Sequence, residues 1–261
     1  MTDALFLTSE AVDDLATPAD YVAAVRDGYR EVGEGAPAEP RTLLPSGDPP
    51  GMLTTYVAML PEVGAMGGYT YAAGFAERDA WFLTPLFDAE TGEPLAVIDG
   101  ASMNPFKTGA AGAVAVDALA RPDASTVAVI GSGPQARGQL RTTATVRDLT
   151  GVRVFSPTPA NRESFADEFA ERLDADVTAV SSADAALADA DVVITATTAS
   201  EPVIADADVE PGTHVTAMGQ YAADKHELPP ELVARATYVP DLTARATRDA
   251  GSFIAAREAG L

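Results

Sequence analysis

The chain contains only two lysines, Lys107 and Lys225, and both lie in stretches rich in glycine and alanine. Lys107 belongs to MNPFKTGAAG and Lys225 to GQYAADKHEL, while arginine supplies the remaining basic side chains of a chain whose net charge is −22. A cleft in so acidic a protein repels anionic small molecules unless fixed cations lie at its floor. We therefore expect Lys107 to hold an anionic group of a substrate, with a solvated surface cation as the alternative. For Lys225 the open alternatives are a position facing the cofactor or the substrate mouth and a solvated surface cation.

A glycine-rich turn is the second group of residues whose spacing indicates a functional site. The segment VAVIGSGPQARGQL places Gly131 and Gly133 after a predicted strand, and Pro134, Gln135 and Ala136 at the start of a predicted helix. In the pattern G-x-G-x-x-A the first glycine permits a tight turn, and the second lets the backbone approach a pyrophosphate at the helix N-terminus. The alternative is an ordinary glycine-rich turn, but the strand–turn–helix context favours a dinucleotide site.

The end of the next predicted strand indicates which dinucleotide binds. An NAD site usually has Asp or Glu there, bonded to the ribose 2′-hydroxyl. This chain has Ser156, followed by Thr158 and Arg162. Hydroxyls and a guanidinium suit a 2′-phosphate, so the sequence predicts NADP(H) in preference to NAD(H). A polar loop with Thr158 or Asn161 as helix N-cap is the structural alternative, and both interpretations are compatible.

Strand and helix patterns alternate from Ser125 to about Asp241, which is typical of βαβ units in a parallel sheet with helices on both faces. The first hundred residues differ. TPADYVAAVRDGYREVGEG predicts a helix, and PLFDAETGEPLAVIDG predicts a hairpin. We predict an α/β protein with a Rossmann-type parallel-sheet domain at residues 116–241. A smaller α+β domain for substrate binding and dimerisation would comprise residues 1–115 and 242–261.

The composition excludes several classes of site. The chain of 261 residues has no cysteine, which excludes disulfides and thiolate zinc sites, and its two histidines are too few for a histidine metal centre, so we expect no metal. Its 39 acidic against 17 basic residues argue against nucleic acid and anionic membranes as partners. With no membrane-length apolar run and an acidic N-terminus, we expect a cytoplasmic protein. The acidity and scarcity of lysine favour a salt-loving source over an ordinary acidic enzyme.

With these residues in view, the chain resembles the ornithine cyclodeaminase and mu-crystallin family. The matching segments run in order as EPR, LFDAETGEPLAVIDG, KTGAAGAVA, VIGSGPQARGQL, ITATTASEPVI and GQYAADKHEL. The family includes cyclodeaminases, alanine dehydrogenases and ketimine reductases. The resemblance implies a small α-amino or α-imino acid substrate, a bound nicotinamide cofactor and a homodimer. Family members usually continue some tens of residues beyond the segment matching GSFIAAREAGL. The tail of this chain is short by comparison, either because the sequence is a truncated version or because the segment has been dispensed with.

The resemblance also assigns residues. Lys107 stands where the family usually has an arginine that holds the substrate carboxylate, and Arg41 matches a second carboxylate-binding arginine. Lysine keeps the charge of that arginine but loses its bidentate fork. The resemblance further places Met52 at the substrate, and it places at the cofactor Thr195, Thr197, Met218, Gly219 and Lys225.

Two departures from the family pattern concern catalysis. Tyr69, in GGYTY, stands where the family has a catalytic lysine, and Tyr221 stands where it has an acid that helps to bind the substrate amino group. A tyrosine can act as a general acid if a nearby cation lowers its pKa. The alternative for both tyrosines is packing at a domain interface.

We therefore expect an NADP(H)-dependent oxidoreductase acting on an α-imino or α-amino acid. Hydride would pass between the nicotinamide and the substrate α-carbon, in a cleft between the two domains. Tyr69, Lys107 and Tyr221 are the catalytic candidates. The alternatives are an NAD-dependent ornithine cyclodeaminase-type lyase and a non-catalytic NADPH-binding protein.

Overall fold

The computed structural model of the chain describes residues 4–75, 80–220 and 222–261. It divides into two compact units, Met1–Asn104 and Pro105–Leu261. Within the described residues, the first unit builds a six-stranded sheet in the order β1-β6-β5-β4-β3-β2, antiparallel except for the β1–β6 pair. Its elements are β1 (Leu5–Leu7), α1 (Ser9–Val12), α2 (Pro18–Gly33), β2 (Ala38–Gly47), β3 (Pro50–Leu60), β4 (Ala65–Ala73), β5 (Ala80–Asp88) and β6 (Pro94–Asp99).

Local sequence signals place α2 and the β5–β6 hairpin where they were predicted. A capping box between Thr17 and Asp20 begins α2, with Pro18 in its first turn. The hairpin turns at Asp88, whose carboxylate accepts hydrogen bonds from the backbone N–H groups of Glu90 and Thr91 at 2.9 and 2.7 Å. Both predictions are confirmed.

The sheet of the first unit has one aromatic and one exposed apolar face. Cross-strand neighbours share a face, so the pairs Tyr56–Tyr69 and Tyr71–Phe82 lie together on the aromatic face. The opposite face carries apolar side chains exposed by 40–60%, namely Leu53, Val57, Met59, Trp81 and Leu83. We call this second surface the apolar face.

The second unit contains a parallel sheet in the order β11-β10-β7-β8-β9. Its strands are β7 (Thr126–Ile130), β8 (Gly151–Phe155), β9 (Asp176–Ala179), β10 (Val192–Thr195) and β11 (His214–Ala217). Its helices are α3 (Asn104–Leu119, starting at the last residue of the first unit), α4 (Pro134–Thr143), α5 (Pro159–Ala170), α6 (Ala183–Leu187), α7 (Pro230–Arg235), α8 (Thr243–Asp249) and α9 (Gly251–Glu258).

Alternate residues of β7 point to two different cores. Val127 and Val129 pack with α3, α4 and α5 around Phe165, whereas Ala128 and Ile130 pack with α6, α7 and α9. Helices therefore cover both faces of the sheet, which confirms the predicted α/β class with a Rossmann-type domain.

The compact units differ from the predicted division at residue 115. Helix α3 belongs with the parallel sheet because a Cβ on Gly109 would lie 2.5 Å from the carbonyl oxygen of Gly138 in α4, a contact that only glycine allows. Residues 242–261 also group with the sheet, and Ala256 of α9 is buried in the core that contains Ala128 and Ile130 of β7. Among the described residues, no helix has both the length and the apolar character needed to cross a membrane.

Candidate active site

The turn after β7 is shaped by Gly131. Its φ of +113° is one that side chains rarely adopt, and a Cβ there would lie 2.3 Å from the carbonyl oxygen of Ala196, just after β10. The turn can therefore pass close to the neighbouring strand only if this position is glycine. The structure gives Gly131 the conformational role that the motif predicts.

Gly133, Pro134, Gln135 and Ala136 form the start of α4. Gly133 is the N-cap, and a Cβ there would meet no described atom within 4 Å beyond its chain neighbours, so the space over the turn is open. Ala136 is fully buried beneath it. Within the described chain, the buried side-chain oxygen of Gln135 has no hydrogen-bond partner. The free backbone N–H groups at this open helix N-terminus fit the diphosphate of a dinucleotide.

Arg137 supports this turn, a role that sequence reasoning missed. Its guanidinium donates to the carbonyl oxygen of Ser132 and, through Nε, to Glu168 at 2.7 Å. It also lies 5.1 Å from the ring centroid of Phe165. A cation one residue after the glycine motif is the signal that could have identified it.

The end of β8 carries hydroxyls and a guanidinium. Ser156 is buried, and its hydroxyl accepts a hydrogen bond from the hydroxyl of Ser132 at 3.0 Å. Arg162 donates to the carbonyl oxygen of Ser156 at 2.9 Å. Thr158 is the N-cap of α5, yet within the described chain its side chain makes no capping hydrogen bond. The structure thus brings the three predicted residues together.

The ends of β10 and β11 meet at Glu227, a second residue that sequence reasoning missed. Its carboxylate accepts hydrogen bonds from the Thr195 hydroxyl at 3.1 Å, the Thr197 backbone N–H at 2.7 Å and the Gly219 backbone N–H at 2.7 Å. Burial raises the pKa of Glu227, and these hydrogen bonds oppose the rise. Its sequence context, HELPPELV, gave no signal beyond an acid beside apolar residues.

The remaining residues predicted at the cofactor lie on the same edge of this sheet or just beyond it. The backbone N–H of Met218 donates to the carbonyl oxygen of Thr195 at 3.1 Å, which extends the β10–β11 ladder. Lys225 has an exposed side chain in the following loop. Its carbonyl oxygen packs on Gly251, where a Cβ would lie 1.9 Å away. The structure therefore fixes the backbone at Lys225.

Lys107 lies in the first turns of α3 and is partly buried. Burial, followed by the positive charge of Arg245, lowers its pKa to about 8. The ammonium is therefore the main form at neutral pH but is lost in mild alkali. An arginine at this position would remain charged throughout.

Tyr69 lies in the aromatic face of the first unit. Its hydroxyl donates to the side-chain oxygen of Asn104 at 2.8 Å, and its ring stacks on Phe82 with centroids 5.6 Å apart. Burial raises its pKa, and Tyr71 and Tyr56 contribute further. This is opposite to the lowering that a general acid would need, so Tyr69 keeps its proton at neutral pH.

Three further predicted residues belong to the first unit or fall outside the described chain. Arg41 is buried in β2, with 4% exposure. Met52 is partly buried in β3 and shares the face of Tyr56, four residues further along the strand. Tyr221 lies outside the described residues.

Comparison with known proteins shows that the chain is similar to enzymes that act on amino and imino acids. An NAD(P)H-dependent anabolic L-arginine dehydrogenase from Pseudomonas aeruginosa is 30% identical over 97% of this chain and 81% of its own length. A Delta(1)-pyrroline-2-carboxylate reductase from Bacillus cereus is 36% identical over 59% of this chain, and the match covers only 47% of that relative.

Two solved structures superpose on nearly the whole chain. The Delta(1)-pyrroline-2-carboxylate reductase of Thermococcus litoralis, in complex with NADH and L-proline, has a TM-score of 0.92 at 28% identity, over 98% of this chain and 81% of that one. An archaeal alanine dehydrogenase dimer with bound NAD has a TM-score of 0.90 at 28% identity, over 99% and 80%. The ornithine cyclodeaminase/mu-crystallin family model matches residues 2–258. This protein therefore belongs to the ornithine cyclodeaminase/mu-crystallin family.

Proposed function

We propose that the protein is an NADP(H)-dependent oxidoreductase that acts on an α-imino or α-amino acid. The strand–turn–helix cradle formed by Gly131, Gly133 and the start of α4 carries the proposal, because it fits a dinucleotide diphosphate in a family of nicotinamide enzymes. When bound, the nicotinamide supplies or accepts the hydride that changes the oxidation state of the substrate carbon.

The choice of NADP(H) rests on the end of β8. No acid occupies the position of Ser156, where a carboxylate would repel a 2′-phosphate. Arg162 is held there by its hydrogen bond to the Ser156 carbonyl oxygen. Thr158, whose side chain is exposed, lies two residues after Ser156. A guanidinium and a hydroxyl are suitable donors for that phosphate.

Lys107 and Arg41 are proposed to bind the substrate carboxylate. An anionic substrate needs fixed positive charge in a chain of net charge −22, and both side chains are withdrawn from bulk solvent. Tyr69 is proposed to donate a hydrogen bond rather than to transfer a proton, since burial raises its pKa.

We also propose that the apolar face mediates homodimer formation. Trp81 is 60% exposed on this face, although aromatic residues of this size are usually covered. The archaeal alanine dehydrogenase with a similar fold is described as a dimer.

The proposed activity is tested by following NADPH absorbance with a panel of cyclic α-ketimine carboxylates, and of 2-oxo acids with ammonium, in molar KCl. Because a reductase consumes NADPH in proportion to product, we expect a net fall in absorbance with at least one substrate. A cyclodeaminase would instead release ammonia from ornithine without any net change in nicotinamide. Binding of NADPH with neither reaction would contradict the proposed activity.

Cofactor choice is tested with Arg162→Ala. A charge-assisted hydrogen bond to phosphate contributes roughly 1.5–3 kcal/mol, so the Kd for NADPH should rise on the order of tenfold to a hundredfold. The Kd for NADH, which has no 2′-phosphate, should change by less than about twofold. Both are measured by nicotinamide fluorescence. Arg257→Ala, at an exposed position of α9, is the control for loss of one positive charge. Equal weakening of both cofactors would contradict the assignment.

The titration of Lys107 predicts an alkaline limb in the pH profile. Its ammonium is present below a pKa of about 8 and is lost above it, so kcat/KM for the carboxylate substrate should fall above pH 8. In Lys107→Arg this limb should disappear, because the guanidinium stays charged. Lys225→Arg makes the same substitution at the other lysine and should retain the limb, whatever its effect on the rate. A limb that persists in Lys107→Arg would rule out Lys107 as its source.

Dimer formation is tested with Trp81→Lys. A charge within the apolar face should disfavour its burial and yield a monomer, whereas the unmodified chain should have about twice the 26.9 kDa chain mass. Leu15→Lys is the matched control, because Leu15 is 72% exposed but lies outside the apolar face. Light scattering after size exclusion gives the masses. A dimeric Trp81→Lys variant would show that another surface forms the interface.

A further inference from the structure

Glu227 is a carboxylate almost completely withdrawn from solvent, with 2% exposure. Both oxygens are used: Oε1 accepts from the Thr197 N–H at 2.7 Å, and Oε2 accepts from the Gly219 N–H at 2.7 Å and the Thr195 hydroxyl at 3.1 Å. All three partners are donors. These donors require that both side-chain oxygens of residue 227 accept hydrogen bonds, as the oxygens of an ionised carboxylate do.

The three donors belong to two segments that are far apart in sequence. Thr195 ends β10 and Thr197 follows it, whereas Gly219 lies two residues beyond β11. A Cβ on Gly219 would lie 2.4 Å from the Thr197 carbonyl oxygen and 2.5 Å from Oε1 of Glu227. Gln220 adds a second link by donating to the Thr197 carbonyl oxygen at 3.2 Å. One side chain thus joins the ends of two parallel strands.

Burying this carboxylate is unfavourable, which is why its pKa is raised despite three hydrogen bonds. The location offers a reason for retaining it. In a Rossmann-type sheet the ribose of the adenosine lies at the end of the second strand and the diphosphate at the first βα turn. Here these are β8 and the turn after β7. The rest of the dinucleotide must cross the switch point toward β10 and β11, where Glu227 holds the chain.

We propose that Glu227 is a positioning residue that fixes the segments 195–197 and 217–220 as the platform for the nicotinamide half of the cofactor. The inference rests on the proposed function, since it requires a dinucleotide at this edge. Glu227 acts through the backbone of Thr197 and Gly219 rather than by touching the cofactor itself. The hydroxyl of Thr195, which was predicted as a cofactor contact, donates a hydrogen bond to Glu227.

The substitution Glu227→Gln changes the chemistry with little change in shape. An amide has one acceptor oxygen and one NH₂ group, so the NH₂ would face a backbone N–H of either Thr197 or Gly219. One of the two links between the strand ends would become a contact between donors. Glu227→Asp keeps the carboxylate but shortens its reach. Thr195→Val removes only the hydroxyl donor and is nearly isosteric.

The test compares a ligand that contains nicotinamide with one that lacks it, on the full-length protein. Binding of NADPH is measured by nicotinamide fluorescence, and binding of 2′-phospho-ADP-ribose by calorimetry, with NADH and ADP-ribose in parallel. In Glu227→Gln we expect the Kd for NADPH to rise about tenfold and that for 2′-phospho-ADP-ribose to change less than about twofold. Glu227→Asp should recover part of the affinity for NADPH. Glu201→Gln, an exposed glutamate in the loop after β10, should match the unmodified protein.

The outcomes separate this inference from the proposed function. Equal weakening of both ligands, or unchanged binding of both by a folded Glu227→Gln, would overturn the positioning role. If Glu227→Gln does not fold, as judged by circular dichroism, Thr195→Val should still show a smaller loss selective for NADPH, and its absence would overturn the role equally. Failure of the unmodified protein to bind NADPH or NADH would overturn the proposed function, and the inference with it.

Discussion

The carboxyl edge of the parallel sheet depends on the absence of a side chain at Gly131. Because nothing projects from this residue, the turn after β7 lies against the Ala196 carbonyl oxygen at the end of β10. The Gly131 N–H donates to the Phe155 carbonyl oxygen at 2.8 Å, and the Ala196 N–H donates to the Ile130 carbonyl oxygen at 2.9 Å. The ends of β7, β8 and β10 are therefore tied together here. A side chain at Gly131 would push the turn after β7 away from the end of β10. It would thereby separate the two halves of the proposed cofactor site even without touching the cofactor.

Arginine links the loops of this acidic chain as well as supplying most of its positive charge. Arg137 donates to the Ser132 carbonyl oxygen, Arg162 to the Ser156 carbonyl oxygen, and Arg147 to the carbonyl oxygens of Val116 and Asp117 at the end of α3. A planar fork with several donors can join a carbonyl to a second partner, which an ammonium does less well. Most positive charge is carried by arginine, so Lys107 stands out as a partly buried position whose cation can titrate.

Local patterns predicted most of the fold and part of the site. The caps of α2, the β5–β6 turn and the glycine turn after β7 depend on residues close in sequence, so spacing was sufficient to locate them. Glu227 and Arg137 were missed because their partners are distant: Thr195 lies 32 residues from Glu227, and Glu168 lies 31 from Arg137. The predicted boundary at residue 115 fell within α3 because the small residues of this helix show no period that reveals what they pack against. The contact of Gly109 with Gly138 and the packing of Val116 against β7 give that information.

The protonation state of Tyr69 bears on the direction of the proposed reaction. Removing hydride from an amino acid requires a neutral amine, so a base must first take a proton, whereas an iminium ion accepts hydride directly. A buried phenol with a raised pKa holds its proton at neutral pH and can donate the hydrogen bond that it makes to Asn104 in this structure. It cannot serve as that base. Oxidation of an amino acid would therefore need another group as its base, whereas reduction of an iminium ion would need none.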